Sequence, residues 1–318
     1  MSDRGNRGAP RQDHSGSHQG RSRSHQGPGR VPAGAAAPAR AGAVHRVSTR
    51  NAQFQTWQAL LANRNKRQRQ GEFLIHGVRP ITLALEYGWP LQRLLYPAGQ
   101  RLSAWAQGVL RDSGIPVSEV DPELLAELGE REDTAPELVA VAALGSDDFG
   151  RLSVGPDFLG VAFDRPTNPG NIGTLTRSAD AFGASGLIVT GHAADVYDPK
   201  SVRASTGSLF KLPVIRSAAP SDVLQWVVAQ RERGVPVKIV GTDEHGETSV
   251  DACDLTGPVL LVVGNETVGM SKTWREICDE VVSIPIGGAA SSLNAASAGT
   301  LMLYEAARQR GFPGGQRP

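Results

Sequence analysis

The sequence predicts an α/β protein in which a small α/β domain precedes a larger one built on a mostly parallel sheet. Three observations carry this reading. Strand-like and helix-like segments alternate along the chain after residue 50, the pattern of βα units. The run LLVVG at 260–264 is apolar without interruption, as a strand buried on both sheet faces requires. Between the two alternating regions, GSDDFGRLSVGPD at 145–157 is rich in turn-forming residues.

Each element has its own warrant. Phe54, Trp57, Leu60 and Leu61 recur at helical spacing, which predicts one helix from Asn51 to Gly71 with a basic end, Arg64, Lys66, Arg67 and Arg69. FLIHG at 73–77 reads as a strand, 78–88 as a helix and LQRLLY at 91–96 as a strand. A helix over 101–113 and the short strand IPVSEV follow. Leu124, Leu125 and Leu128 suit another helix, and ELVAVAAL at 137–144 closes the first domain with a strand. The second domain opens with the strand FLGVAFD at 158–164, then a helix over 171–183 and the strand GLIVT. Short elements fill 199–215, before a helix at 221–233 and the strand VKIVGT at 237–242. After LLVVG come a helix near 271–279, the strand VVSIPI and a last helix from about 292 to 310. The expected layout is a tail over 1–48, a first domain over 49–146, a linker over 147–157 and a second domain over 158–318.

Charge is distributed unevenly. The whole chain carries a formal +1, yet residues 1–50 hold nine arginines against Asp3 and Asp13, a net of +7. This segment has almost no large apolar side chain before Phe54, so it cannot bury enough surface to offset the entropy of ordering and is expected to be disordered. A cationic arm of this kind attracts polyanions such as RNA or DNA by counterion release; its other reading is a solubilising tail. No stretch approaches 18 uninterrupted apolar residues, so no transmembrane helix is expected. MSDRGNRGAPRQD has no apolar signal-peptide core. Cys253 and Cys278 are too few for a disulfide scaffold or a four-cysteine zinc site and read as reduced thiols of a cytoplasmic protein. His192 and His245 stand in no metal-ligand spacing and read as loop histidines, so no metal is expected.

The familiar nucleotide motifs are absent: no G-x-G-x-x-G follows the first strand of the large domain, and neither a P-loop nor G-x-S-x-G occurs. Polar groups cluster instead in three loops that follow strands, where open α/β sheets bind ligands. The first is PTNPGNIGTLTRSADAFG at 166–183, with glycines that admit close backbone approach. Its Arg177 faces solvent, pairs with a carboxylate or points into the cleft. The second is GNETVGMS at 264–271, whose Glu266 is either a partner for a helix N-terminus or a site carboxylate. The third is IPIGGAASSLNAASAG at 284–299, where Ser292 or Asn294 caps the last helix or serves the site.

In order and spacing these loops resemble the SpoU (TrmH-type) branch of the SPOUT superfamily, the RNA ribose 2′-O-methyltransferases. The first family motif is matched by Asn168, Gly170, Asn171, Gly173, Arg177, Ala179, Ala181, Phe182 and Gly183. The second is matched by Gly264, Glu266 and Gly269, and the third by Ile284, Pro285, Ile286, Ser292, Leu293, Asn294, Ala296 and Ala298. VRASTGSLFKLPV at 202–214 resembles the segment that links them. NRNKRQRQGEFLIHGVRPITLAL looks like the family's substrate-binding domain, similar to a ribosomal-protein RNA-binding fold, with His76 where a glutamate is usual.

The resemblance implies a SPOUT methyltransferase domain with a C-terminal trefoil knot, an exception to the rule against threaded chains. It implies an S-adenosylmethionine pocket lined by Thr242, Gly264, Ile284 and Leu293, and a homodimer formed through this domain, in which Arg177 approaches either the other subunit's cofactor or its own subunit's methyl group. It implies methyl transfer to a ribose 2′-hydroxyl of structured RNA, rRNA ahead of tRNA, with Arg177 orienting the ribose-phosphate and stabilising the developing alkoxide. Asn171 would hold ribose or phosphate, and Glu266, Ser292 and Asn294 would support the site. Arg64, Lys66, Arg67 and Arg69 are the expected RNA contacts, their other reading being a solvated helix end that complements the dipole. Two further readings stand beside this one: an RNA-binding protein that has lost catalysis, and a SPOUT enzyme acting on a base nitrogen.

Overall fold

The computed structural model describes residues 45–129 and 136–312. The first domain is a sheet of β1 (His45–Val47), β2 (Glu72–His76), β3 (Leu91–Pro97), β4 (Val117–Val120) and β5 (Val139–Ala143), in the order β1-β4-β3-β5-β2. β1, β4 and β3 run parallel, and β5 is antiparallel to both of its neighbours. Around it lie α1 (Ala52–Ala62), α2 (Arg64–Gln70), α3 (Val78–Glu86), α4 (Ala104–Asp112) and α5 (Pro122–Leu128).

Two expectations change here. The single helix predicted over 51–71 is two. Asn63 ends α1 in an extended conformation (φ −113°, ψ 99°), and its side-chain oxygen accepts from the Lys66 N–H to begin α2. The expected tail over 1–48 gives up its last residues to the fold: β1 pairs with β4, Val47 is fully buried, and Arg46 donates to Glu119. The rest of that tail, 1–44, lies outside the described residues.

The second domain is built on seven strands, β6 (Leu159–Asp164), β7 (Gly186–Thr190), β8 (Val214–Ser217), β9 (Lys238–Thr242), β10 (Thr248–Ser249), β11 (Val259–Val263) and β12 (Glu280–Ser283). Their order is β10-β12-β9-β11-β6-β7-β8, and every pairing is parallel. Every residue of β6, β7 and β11 is buried, as their unbroken apolar runs require. The flanking helices are α6 (Pro169–Ala181), α7 (Pro199–Ala204), α8 (Pro220–Glu232), α9 (Lys272–Ile277) and α10 (Ala295–Gln309). The strand predicted to run through Ile286 stops at Ser283, and the two-residue β10 was not legible beforehand.

From β6 the chain builds outward through β7 and β8, then crosses to the other side for β9, so the topological switch lies beside β6 and β11. After β12 it returns across the ends of β9 and β11 and delivers α10 against α6 and β11. The end of that helix is clamped. Gln309 exchanges hydrogen bonds with the Leu255 N–H (2.8 Å) and the Cys253 carbonyl (2.9 Å). Arg310 donates to the carbonyls of Leu255, Asp157, Phe158 and Gly257. Among the described residues no helix is long and apolar enough to cross a membrane.

One apolar core runs through both domains, joining Phe73, Ile75 and Ile81 to Val161, Leu187 and Phe210. Phe73 packs on Tyr197 and Phe210, and Trp89 meets Phe210 edge-on. Arg67 is the polar centre of this junction. It is 1% exposed, its Nε donates to Asp195 at 2.7 Å, and its Nη1 donates to the carbonyls of Leu60 (2.6 Å) and Leu61 (3.0 Å). Its other terminal nitrogen faces Asp198 at 3.7 Å. Arg67, expected to contact RNA, is therefore a buried ion-pair partner: its guanidinium is committed to the protein's own groups and cannot reach a phosphate. The turn-rich stretch at 147–157 is likewise pinned, with Leu152 buried, Arg151 donating to the Ser146 and Val214 carbonyls, and Asp147 paired with Arg216.

Candidate active site

The carboxyl ends of β9, β11 and β12 converge on one cleft of about 690 Å³, which the start of α10 closes. Thr242, Gly264, Ile284 and Leu293, the four residues expected to line a cofactor, all line it, together with Glu266 and Ser292. Its apolar wall is uncovered: Ile286 and Leu293 are 40% and 39% exposed. Thr242 donates its hydroxyl proton to the Val262 carbonyl (3.2 Å), which leaves its oxygen as an acceptor.

The loop after β11 is a tight hairpin. Asn265 and Gly269 bridge backbone to backbone, and the Asn265 side chain accepts from Thr267 N and Val268 N. A Cβ on Gly264 would lie 2.5 Å from the Gly269 carbonyl carbon and the Met270 nitrogen, so only glycine lets the hairpin fold back here. The hairpin is tied to β6 from below. Asn265 donates to the Arg165 carbonyl (2.7 Å), and Arg165 reaches the Gly269 carbonyl (3.2 Å) while paired with buried Asp164. Asp164 also accepts from the Ser271 N–H at 2.7 Å. On the opposite wall Asp243 pairs with Arg275 at 2.8 Å. Asn265, Asp164, Arg165 and the Asp243–Arg275 pair were not singled out from sequence. The one available signal was the Asn beside Glu266, a residue type that folds its side chain onto its own turn.

Glu266 joins the three polar loops. Its Oε2 accepts from the Thr167 N–H and hydroxyl, both at 3.0 Å. Its Oε1 accepts from the Asn168 N–H (3.2 Å) and the Asn171 amide (3.0 Å). Asn171 in turn accepts from Asn294 at 3.2 Å, and Asn294 caps α10 through Ala296 N and Ser297 N. Burial pushes the Glu266 carboxyl up, but the hydrogen bonds from Thr167, Asn171 and Asn168 outweigh it and hold the group below the usual carboxylate value. Four donors occupy the lone pairs of an ionised carboxylate, so Glu266 organises the site and is not a free base. Asn294 thus caps the last helix and hydrogen-bonds Asn171 at the same time.

Arg177 stands apart from this network. It is on the exposed face of α6, six residues past Asn171, and no carboxylate among the described residues pairs with it. Ser292 lines the cleft mouth and makes no hydrogen bond among the described residues. Of the remaining expected RNA contacts, Arg64 and Arg69 are exposed and Lys66 is half-buried, with Arg64 donating to the Ala193 carbonyl at 2.6 Å.

A parallel sheet whose C-terminal segment folds back over the strand ends to complete a ligand cleft is the architecture of the knotted SPOUT class of methyltransferases. Residues 51–140 match the SpoU L30e-like domain, and residues 159–304 match the SpoU rRNA methylase family. Over 271 residues the chain is 59% identical to a 23S rRNA (uridine(2479)-2′-O)-methyltransferase of Streptomyces viridochromogenes, covering 85% of this chain and 94% of that protein. The crystal structure of the SpoU methyltransferase AviRb from the same organism, in complex with AdoMet, matches with a TM-score of 0.80 at 60% identity, covering 82% of this chain and 98% of that one. An AdoMet-bound rRNA methyltransferase from Sinorhizobium meliloti matches with a TM-score of 0.73 at 30% identity, covering 84% and 98%. The chain belongs to the SpoU rRNA methylase family, and its fold is that family's knot-forming one.

Proposed function

We propose that this protein transfers a methyl group from S-adenosylmethionine to the 2′-hydroxyl of a uridine ribose in 23S rRNA. The observation that carries the reading is the Glu266–Asn171–Asn294 network, which holds the first and third polar loops against the hairpin at the mouth of a cleft sized for a nucleoside cofactor. The reaction and the cofactor follow from membership of the family; 23S rRNA and uridine follow from the relative's substrate.

The residues present fit the cofactor. Ile284, Ile286 and Leu293 offer an apolar wall to an adenine ring, and the backbone of the Gly264–Gly269 hairpin offers polar groups to its edge. S-adenosylmethionine supplies an electrophilic methyl group on a sulfonium. The ribose hydroxyl needs in-line placement and partial loss of its proton. Arg177, exposed and without a carboxylate partner among the described residues, orients the ribose-phosphate and stabilises the developing alkoxide; a guanidinium stays protonated and does not act as a free base. Asn171 sets the near side of the acceptor, and Ser292 offers a hydroxyl at the cleft mouth. Glu266 and Asn294 keep these groups in register.

The protein acts as a homodimer in this reading. The exposed apolar side chains Leu301, Tyr304 and Phe312 gather on and beside α10, with Phe182 packed edge-on against Tyr304, and a second copy would cover them. Sedimentation velocity on the wild type and on Leu301→Asp tests this: a monomeric wild type overturns it. Since ribosomal RNA is the substrate, the compartment is the cytoplasm.

The test of the reaction is radiolabelled methyl transfer to rRNA, followed by nuclease digestion and nucleoside analysis. Label in 2′-O-methyluridine from the 23S fraction is the expected result. Label in a methylated base, or RNA binding with no transfer to naked or particle-assembled rRNA, overturns it.

A further inference from the structure

We propose that the RNA strand enters the methyl-transfer site along a strip that runs from α2 over the exposed His192 of the Gly191–Ala194 loop to the exposed Thr167 and Asn168, within one protomer. The inference rests on the RNA-methylation reading and names the path by which that substrate is held.

The strip is continuous through direct hydrogen bonds. Arg64 opens α2 and reaches 129 residues along the chain to the Ala193 carbonyl at 2.6 Å. The next residue, Ala194, donates its N–H to the Pro166 carbonyl at 2.7 Å. Pro166 leads directly into Thr167 and Asn168, whose N–H groups Glu266 holds. Cationic helix, crossing loop and catalytic turn are thus three adjacent stations.

What these stations present suits a single strand of RNA. Arg64 is exposed and uses one of its five N–H donors on Ala193, which leaves the others for phosphate. Arg69 lies two residues past buried Arg67 and so on the opposite face of α2, away from the strip. His192 is exposed beside Ala193 and offers a ring on which a base stacks. The loop's acids do not compete: Asp195 is buried and Asp198 is partly covered, and both face the guanidinium of Arg67. Arg67 touches no RNA in this arrangement. It neutralises the acids beneath the strip and fixes the loop at its height.

The experiment measures methyl transfer to 23S rRNA as a function of RNA concentration and of salt. The variants are Arg64→Ala, His192→Ala and the double combination. His192→Ala alters a side chain without hydrogen bonds among the described residues, so it keeps the strip testable if Arg64→Ala loosens the domain junction. The double variant is expected to raise the RNA KM at least about tenfold, with S-adenosylmethionine affinity unchanged. The slope of log KM against log salt is expected to become shallower by about 0.7 to 0.9 for each phosphate left without its cation. An unchanged RNA KM in His192→Ala, or an unchanged salt slope in the double variant, overturns the strip. Absence of transfer by the wild type overturns the enzymatic reading instead, so the two failures are distinct.

Discussion

Glu266 shows how a residue's environment decides its job. Half-buried and ionised, it accepts four hydrogen bonds and so positions Thr167, Asn168 and Asn171. Replacing it with Gln puts a donor where only acceptors fit, and the turn that carries Asn171 shifts. A displacement of this size lowers kcat by about a hundredfold, measurable by single-turnover transfer, with the fold intact by circular dichroism. Arg177→Ala is expected to abolish transfer while calorimetric binding of S-adenosylmethionine is retained; strong residual transfer would remove Arg177 from the mechanism. His76 supplies the pH prediction. Burial lowers its pKa to about 4, with a smaller push in the same direction from Arg203, against the pull of the Leu128 carbonyl that it holds at 2.7 Å. Between pH 6.5, the ordinary value, and about 4 the unfolded chain binds a proton that the native state refuses. Stability therefore falls as pH drops through that window, by an amount on the order of 3 kcal/mol. His76→Gln keeps a donor for the Leu128 carbonyl and is expected to flatten denaturation midpoints over the same window. The residues of the three loops were legible because each type has a chemical reason to sit in a turn or beside a helix end. Arg67 was not: the basic residues of α2 look alike until a partner 128 positions away buries one of them.

At the scale of elements, the hairpin after β11 is the piece on which the cleft depends. Gly264→Ala forces a Cβ into the backbone of Gly269 and Met270 at 2.5 Å, so the hairpin must open. The expected outcome is a loss of S-adenosylmethionine binding by calorimetry with the sheet intact by circular dichroism; normal affinity would show that the hairpin tolerates the methyl group. Strand and helix assignments were readable from periodicity where burial was one-sided or complete, as in β6, β11 and α10. They failed at Asn63, where a cap breaks a helix that hydrophobic spacing alone continues. They failed again at β10, two residues whose pairing with β12 comes from the returning chain and from no local pattern.

At the scale of the whole molecule, the two alternating regions share a core and are locked by Arg67. Arg67→Ala leaves Asp195 buried without its partner, and a loss of about 3–5 kcal/mol is expected from urea denaturation; a change under about 1 kcal/mol would show that the pair is dispensable. β1 begins at His45, so a deletion that ends at residue 44 spares the first sheet. Deletion of 1–44 is expected to weaken RNA binding and flatten its salt dependence, whereas deletion of 1–47 also removes the buried Val47 and destabilises the first sheet.

The clamp at the end of α10 has a consequence for synthesis. Arg310 and Gln309 close onto Asp157, Phe158 and the 253–257 segment, so nearly the first and the last residues of the methyltransferase domain must meet. While the chain is still being translated, the parallel sheet can assemble, but the segment from Ile284 to Leu293 has nothing to pull it tight across the strand ends. The cofactor cleft is thus completed only once the end of α10 has left the exit tunnel.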